Sequence, residues 1–167
     1  GFVLPAAIDL EIRLAIRWLD EPVVRVQRSD GVTAAIDLAT IGEPGGQWSD
    51  YVAGMAWALG EAGRPLVGFA GALSGSLPIG AGLSSSAALE LASAWALSGP
   101  AGPAPAPLEL AKLAQRAENE FVGVRCGLMD QFASACGVAG KAMLFDCRTS
   151  EWRAVSLPDD LALVIAH

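Results

Sequence analysis

The sequence predicts an α+β fold, a mostly antiparallel sheet with helices packed on one face. Three observations predict it. Short runs with alternating apolar residues come first, longer stretches with helical apolar spacing follow, and strand-like runs return near the end. Apolar residues make up 53% of the 167 residues, enough for one domain, residues 1–167, with its own core.

The elements follow in order. Phe2 to Ile8, Ile12 to Trp18, Val23 to Gln27 and Val32 to Leu38 form strands, with a turn at Ser29-Asp30-Gly31. Ser49 or Asp50 caps a helix that runs to about Ala62 and ends at Gly63. Leu66 to Leu73 is a further strand. A Gly- and Ser-rich loop, Ser74 to Ser84, leads into an alanine- and leucine-rich helix from Ser85 to Leu97. Ser98 to Pro107 is a surface loop rich in Pro, Ala and Gly. Leu110, Leu113, Ala114, Ala117 and Phe121 then carry a helix from Leu108 to Val122. Met129, Phe132, Ala133 and Cys136 give the apolar face of the next one. Lys141 to Cys147 and Leu161 to Ala166 read as strands, the second of them buried.

Composition narrows the function. Eighteen acidic against eleven basic side chains give a net charge of −7, which argues against nucleic acid or an anionic membrane as partner. No apolar stretch approaches the roughly 18 residues of a membrane span. Cys126, Cys136 and Cys147 have neither zinc-ligand nor paired-thiol spacing and read as reduced, buried thiols of a cytoplasmic protein. The single histidine, His167, is the last residue, so the chemistry falls to carboxylates, hydroxyls and backbone amides. Gly1 opens directly on an apolar run and LALVIAH stops inside one, so both ends look cut.

Three segments carry that chemistry. The first is Leu77 to Leu89, LPIGAGLSSSAAL. Its glycines let a backbone approach a ligand closely, and three serines meet the free amides of a helix start. The combination suits phosphate without a lysine. It is neither a Walker A loop nor a Rossmann fingerprint. The plainer alternative is a glycine turn before a capped helix, but one serine is enough for a cap. The second segment is Ala117 to Val124. Glu118 lies on or beside an apolar ridge, where an unpaired carboxylate is costly. Either a bound cation resolves that cost, or the side chain reaches solvent or an arginine. The third is Cys126 to Ser134. Asp130 falls in a first helical turn, where the dipole keeps a carboxylate ionised and able to accept a hydroxyl proton. A simple helix-start acid, a common feature, is the alternative.

The serine-rich string resembles the phosphate loop of the GHMP small-molecule kinases, whose pattern is close to PxGxGLSSSAA. AENEFVGVRCGLMDQFAS and GKAMLFDCRTSEWRAVSLP are similar to the galactokinases of that superfamily, and QWSDYVAG is similar to their WxxYVxG helix. The likeness runs along nearly the whole chain and is weaker between Asp20 and Gly46. It implies the GHMP-kinase N-terminal domain (ribosomal protein S5 domain 2-like). It further implies that Gly80, Gly82, Leu83, Ser84, Ser85 and Ser86 hold the phosphates of ATP, with Trp48 and Tyr51 near its base. Ser86 and Glu118 would bind Mg²⁺. Asp130 would polarise the C1 hydroxyl of galactose, and Gly127 would line the sugar pocket. The family's GRVNLIGEHTDYN signature, which grips the sugar, would stand before Gly1, and a further Gly-rich motif beyond His167. The implied partner is the sugar alone, with a monomeric chain. A kinase for another sugar, or a regulator that binds sugar and ATP without turnover, are the competing readings.

Overall fold

The computed structural model describes residues 1–77, 82–100, 105–158, 160–162 and 164. Seven strands and four α-helices are present among them: β1 Phe2–Val3, β2 Ile12–Leu19, β3 Val23–Arg28, β4 Thr33–Asp37, α1 Ser49–Glu61, β5 Gly68–Gly75, α2 Ser85–Ser98, α3 Pro107–Arg116, α4 Met129–Cys136, β6 Lys141–Asp146 and β7 Trp152–Ser156. A π-helical turn, Ala117–Val122, continues α3.

The strands form two sheets. The larger has the order β2-β5-β3-β4, and only β3 against β5 is parallel. Alternation explains its faces. In β2, Ile12, Leu14 and Ile16 turn to the core while Arg13, Ala15 and Arg17 face out. In β3, Val24 and Val26 are buried and Arg25 is exposed. Gly68, where β5 begins, has no room for a side chain: a Cβ there would collide with the Glu21 carbonyl. Helices α1 and α2 contribute Val52, Met55, Leu59, Ala94 and Leu97 to the core on the inner face, and α3, packed on those helices, adds Leu110. The Trp18 indole N–H donates to the Ala96 carbonyl at 3.0 Å, tying β2 to α2.

The smaller sheet, β1-β6-β7, is antiparallel and holds a second core against α3 and α4. Phe132 stacks on Phe145 with ring centroids 4.0 Å apart, and Trp152 meets Phe132 edge-on. The α+β, mostly antiparallel expectation therefore holds, with the strands divided between two sheets.

Several elements differ from the sequence expectation. The first strand stops at Val3, and pairing resumes only as an Ala6–Ala142 bridge, because Pro5 between them has no N–H to give. β7 was not foreseen; it is an edge strand with only Val155 half-buried, so it shows no apolar alternation. Among the described residues of the expected last strand, Leu161 and Val164 are exposed and lie outside any strand. Leu163, Ile165, Ala166 and His167 fall outside the described residues. Neither Ser49 nor Asp50 caps α1: its N-cap is Trp48, and Asp50 reaches back to accept the Gln47 N–H at 2.8 Å. Met129 is exposed, and α4 buries Gln131 beside Phe132 in its place. Cys126 and Cys136 are half-buried and Cys147 is exposed, so none is a core thiol, and all three are free.

Candidate functional site

The start of α2 is unusual. Ser84 is its N-cap, yet it sits in the left-handed region at φ 58° and ψ 36°, which costs a residue with a Cβ roughly 1–3 kcal/mol. Its hydroxyl makes no capping bond, so the plainer reading of a serine-capped helix fails at this residue. Gly82, two residues earlier, also has positive φ, at 70°. The chain thus enters the helix through two left-handed residues. The first amides of any helix have no intrahelical acceptor. Ser84, Ser85, Ser86 and Leu83 are half-buried around them and Gly82 is exposed. Gly80 falls outside the described residues.

Glu118 lies in the π-helical turn, which inserts extra backbone where α3 would otherwise have run on. Gly123 at φ 83° ends the turn. The carboxylate is 5% exposed. It is mostly withdrawn from solvent and pairs with no arginine among the described residues: Arg116 pairs with Glu120, and Arg64 with Glu109. Its Oε2 accepts the Gln131 side-chain N–H at 2.6 Å and the Cys126 thiol at 3.4 Å.

A second carboxylate lies behind it. Glu90 is fully buried, and its Oε2 accepts from the same Gln131 nitrogen at 3.4 Å. Burial, and then the nearby Glu118, push the Glu90 carboxyl up to about 8, against a smaller opposing effect of the Gln131 bond. Burial and Glu118 also raise the Cys126 thiol to about 11, so it stays protonated and donates. The Oε1 atoms of Glu90 and Gln131 are buried without a partner. Tyr51, on α1, faces the same charges: burial first, then Glu118 and Glu90, raise its phenol.

Glu90, Gln131 and Cys126 escaped the sequence reading. A signal for the first exists: Glu90 is the only charged residue of α2, inside an otherwise alanine- and leucine-rich stretch, four residues after Ser86. Gln131 carries no such signal, since nothing in its spacing separates it from a surface amide.

Asp130 sits in the first turn of α4, half-buried, next to Gln131. No ion pair to Asp130, Glu118 or Glu90 occurs among the described residues. Gly127 is exposed, with open space where a Cβ would stand. Trp48 lies at the start of α1, half-buried, with the Arg28 guanidinium 5.7 Å from its ring. The arrangement brings α2, the π-helical turn and α4 together through Gln131. Ser86 stands one helical turn before Glu90 on α2, and Asp130 precedes Gln131 on α4. The shallow concavities on the outer sheet face and beside Trp152 include none of these residues. Among the described residues no helix is long and apolar enough to cross a membrane.

The description of the GHMP kinases N-terminal domain matches residues 50–138, more than half of the chain.

The chain belongs to the GHMP kinases.

Within that family it is 39% identical to a curated galactokinase of Thermococcus kodakarensis over 170 aligned residues, covering all of this chain and 47% of that protein. The chain thus spans about half the length of the curated relative it matches. Among solved structures, galactokinase of Lactococcus lactis complexed with galactose superposes with a TM-score of 0.88 at 34% identity, over 95% of this chain and 42% of that one. The Methanococcus jannaschii mevalonate kinase shares the fold, with a TM-score of 0.74 at 22% identity over 93% of this chain and 49% of that one.

Proposed function

We propose that this chain is part of a galactokinase, which transfers the γ-phosphoryl group of ATP to the C1 hydroxyl of galactose. The observation that carries the reading is the buried Glu118, a carboxylate without a cationic partner among the described residues, linked through Gln131 to Glu90 on α2, the helix whose start bears Ser84, Ser85 and Ser86. Similarity to two galactokinases supports the sugar.

The residues fit a divalent cation. Glu118 is a buried carboxylate without a compensating positive side chain among the described residues, and Glu90 behind it, pushed up to about 8, mostly holds its proton near neutral pH. Mg²⁺ takes oxygen ligands, commonly one or two carboxylates plus substrate phosphates. Among the described residues no group of three His, Cys, Asp or Glu side chains could hold a metal, which is compatible with a site shared with nucleotide. Ser86 and Glu118 would hold the ion, which would supply neutralisation of phosphate charge.

The chain's own residues then have distinct tasks. The α2 amides and the Ser84 and Ser85 hydroxyls, with Gly80, Gly82 and Leu83, grip the phosphates, aided by the positive end of the helix dipole. Trp48 and Tyr51 border the nucleotide from α1. Gly127 leaves room for the sugar ring. Asp130 accepts the C1 hydroxyl proton as the hydroxyl oxygen bonds to the γ-phosphorus and the bond to the β-phosphate oxygen breaks, releasing ADP. Phosphoryl transfer needs mainly positioning and electrostatic stabilisation, and this set supplies both. The protein acts as a monomer in the cytoplasm.

The test is ADP release by the full-length gene product with ATP, Mg²⁺ and a panel of sugars. Preference for galactose supports the proposal. Preference for another sugar makes the protein a GHMP kinase of different specificity. Sugar and ATP binding without turnover makes it a regulator.

A further inference from the structure

We infer that Gln131, anchored on Glu90, is a positioning residue that clamps one oxygen of Glu118 so that the other is presented for a cation. The inference rests on the reading of Glu118 as a metal ligand and goes beyond it. Three observations carry it.

First, both donors to Glu118 converge on the same atom. Gln131 and Cys126 each donate to Oε2, and no donor among the described residues reaches Oε1. A carboxylate held this way cannot rotate without breaking two bonds, and its free oxygen has a fixed direction. Second, the clamp is itself held. The Gln131 amide is fully buried, and the same nitrogen also donates to Glu90 Oε2. Third, Glu90 has no evident structural reason to be a carboxylate. It is fully buried in the apolar interior behind α2, where a leucine would avoid the cost of burying a polar group. One of its oxygens has no partner. A buried polar group kept under these conditions is explained by the orientation it imposes on its neighbour.

The clamp also spans the segments that carry the proposed chemistry. Glu90 lies one turn beyond Ser86 on α2, Gln131 follows Asp130 on α4, and Cys126 precedes Gly127. Fixing the Gln131 amide therefore fixes the spacing of these segments from behind, without any contact to substrate.

The experiment compares ATP affinity with and without Mg²⁺, by calorimetry on the full-length gene product. The readout is the ratio of the two dissociation constants, the gain on adding Mg²⁺. Gln131→Met, which keeps volume but removes the donor, is expected to reduce this gain by about tenfold while metal-free affinity stays within about twofold, as for other residues that orient metal ligands. Glu90→Leu shifts the gain in the same direction, and Glu90→Gln, which keeps an acceptor for Gln131, restores it. Cys126 lies in a loop, so Cys126→Ala carries the test where a helix variant fails to fold; it loses about twofold to threefold of the gain. A gain equal to wild type in folded Gln131→Met or in Cys126→Ala overturns the inference alone. So does an equal loss with and without Mg²⁺. A wild-type protein whose ATP affinity ignores Mg²⁺ overturns the metal reading, and this inference with it.

Discussion

Replacing Glu90 by glutamine should remove a pH dependence of stability that the fold carries because it buries this carboxyl. In the unfolded chain the group titrates near 4.5, and in the fold burial and Glu118 raise it to about 8. A carboxyl whose folded pKa lies above its unfolded one stabilises the fold while it holds its proton. That contribution is complete below about pH 4.5 and is lost as pH rises toward about 8. Between these values the fold loses about 1.4 kcal/mol per pH step, and rounding at both ends leaves ~3.5 kcal/mol between about pH 5 and pH 8. Glutamine has nearly the same shape and does not titrate. Denaturant unfolding of the metal-free full-length protein at both pH values, wild type against Glu90→Gln, reads the difference directly. Wild type should lose about 3.5 kcal/mol relative to the variant across the window. Equal loss in both proteins, or a relative gain by wild type, would refute the reasoning and place the Glu90 charge elsewhere.

Asp130→Asn should lower turnover by about 10²–10⁴ with ATP affinity nearly unchanged, measured by ADP release and calorimetry; near-normal turnover would remove Asp130 from the chemistry. Glu118→Gln and Ser86→Ala should each weaken nucleotide binding more in the presence of Mg²⁺ than in its absence, and equal losses would show that they are not metal ligands. Gly54 on α1 lets the π-helical turn approach: a Cβ there would meet Phe121 at 3.2 Å and Ala117 at 3.4 Å. Gly54→Val should therefore cost about 1–3 kcal/mol by overpacking, and an unchanged unfolding midpoint would show that this contact yields without strain.

Much of the fold was legible because alternation and helical spacing survive in single elements. β2, β3 and β4 followed from apolar residues at every second place, and α3 from Leu110, Leu113 and Ala114. Failures came where the deciding contact was distant in sequence. β7 exists because β6 offers it a ladder, and its own residues are mostly exposed. Leu161 and Val164 had the composition of a buried strand, and the described residues provide no strand partner for them. At the site, spacing put Glu118 on or beside an apolar ridge but left open whether it turned outward; in the structure it lies in the π-helical turn and is buried. Gln131 was illegible because its importance comes from two carboxylates on other elements, 41 and 13 residues away in sequence. The three serines are more than a cap needs, and the left-handed Ser84, with no capping bond, supplies the physical form of that excess.

Phosphorus NMR of the reaction mixture tests the central claim most directly. The full-length gene product, incubated with ATP, Mg²⁺ and galactose, should produce ADP and one sugar phosphate in equal amounts, with the new phosphorus coupled to the anomeric proton. The Asp130→Asn protein under the same conditions should leave ATP nearly intact. Phosphate on any other hydroxyl, or ATP consumed without a sugar phosphate, would contradict the account.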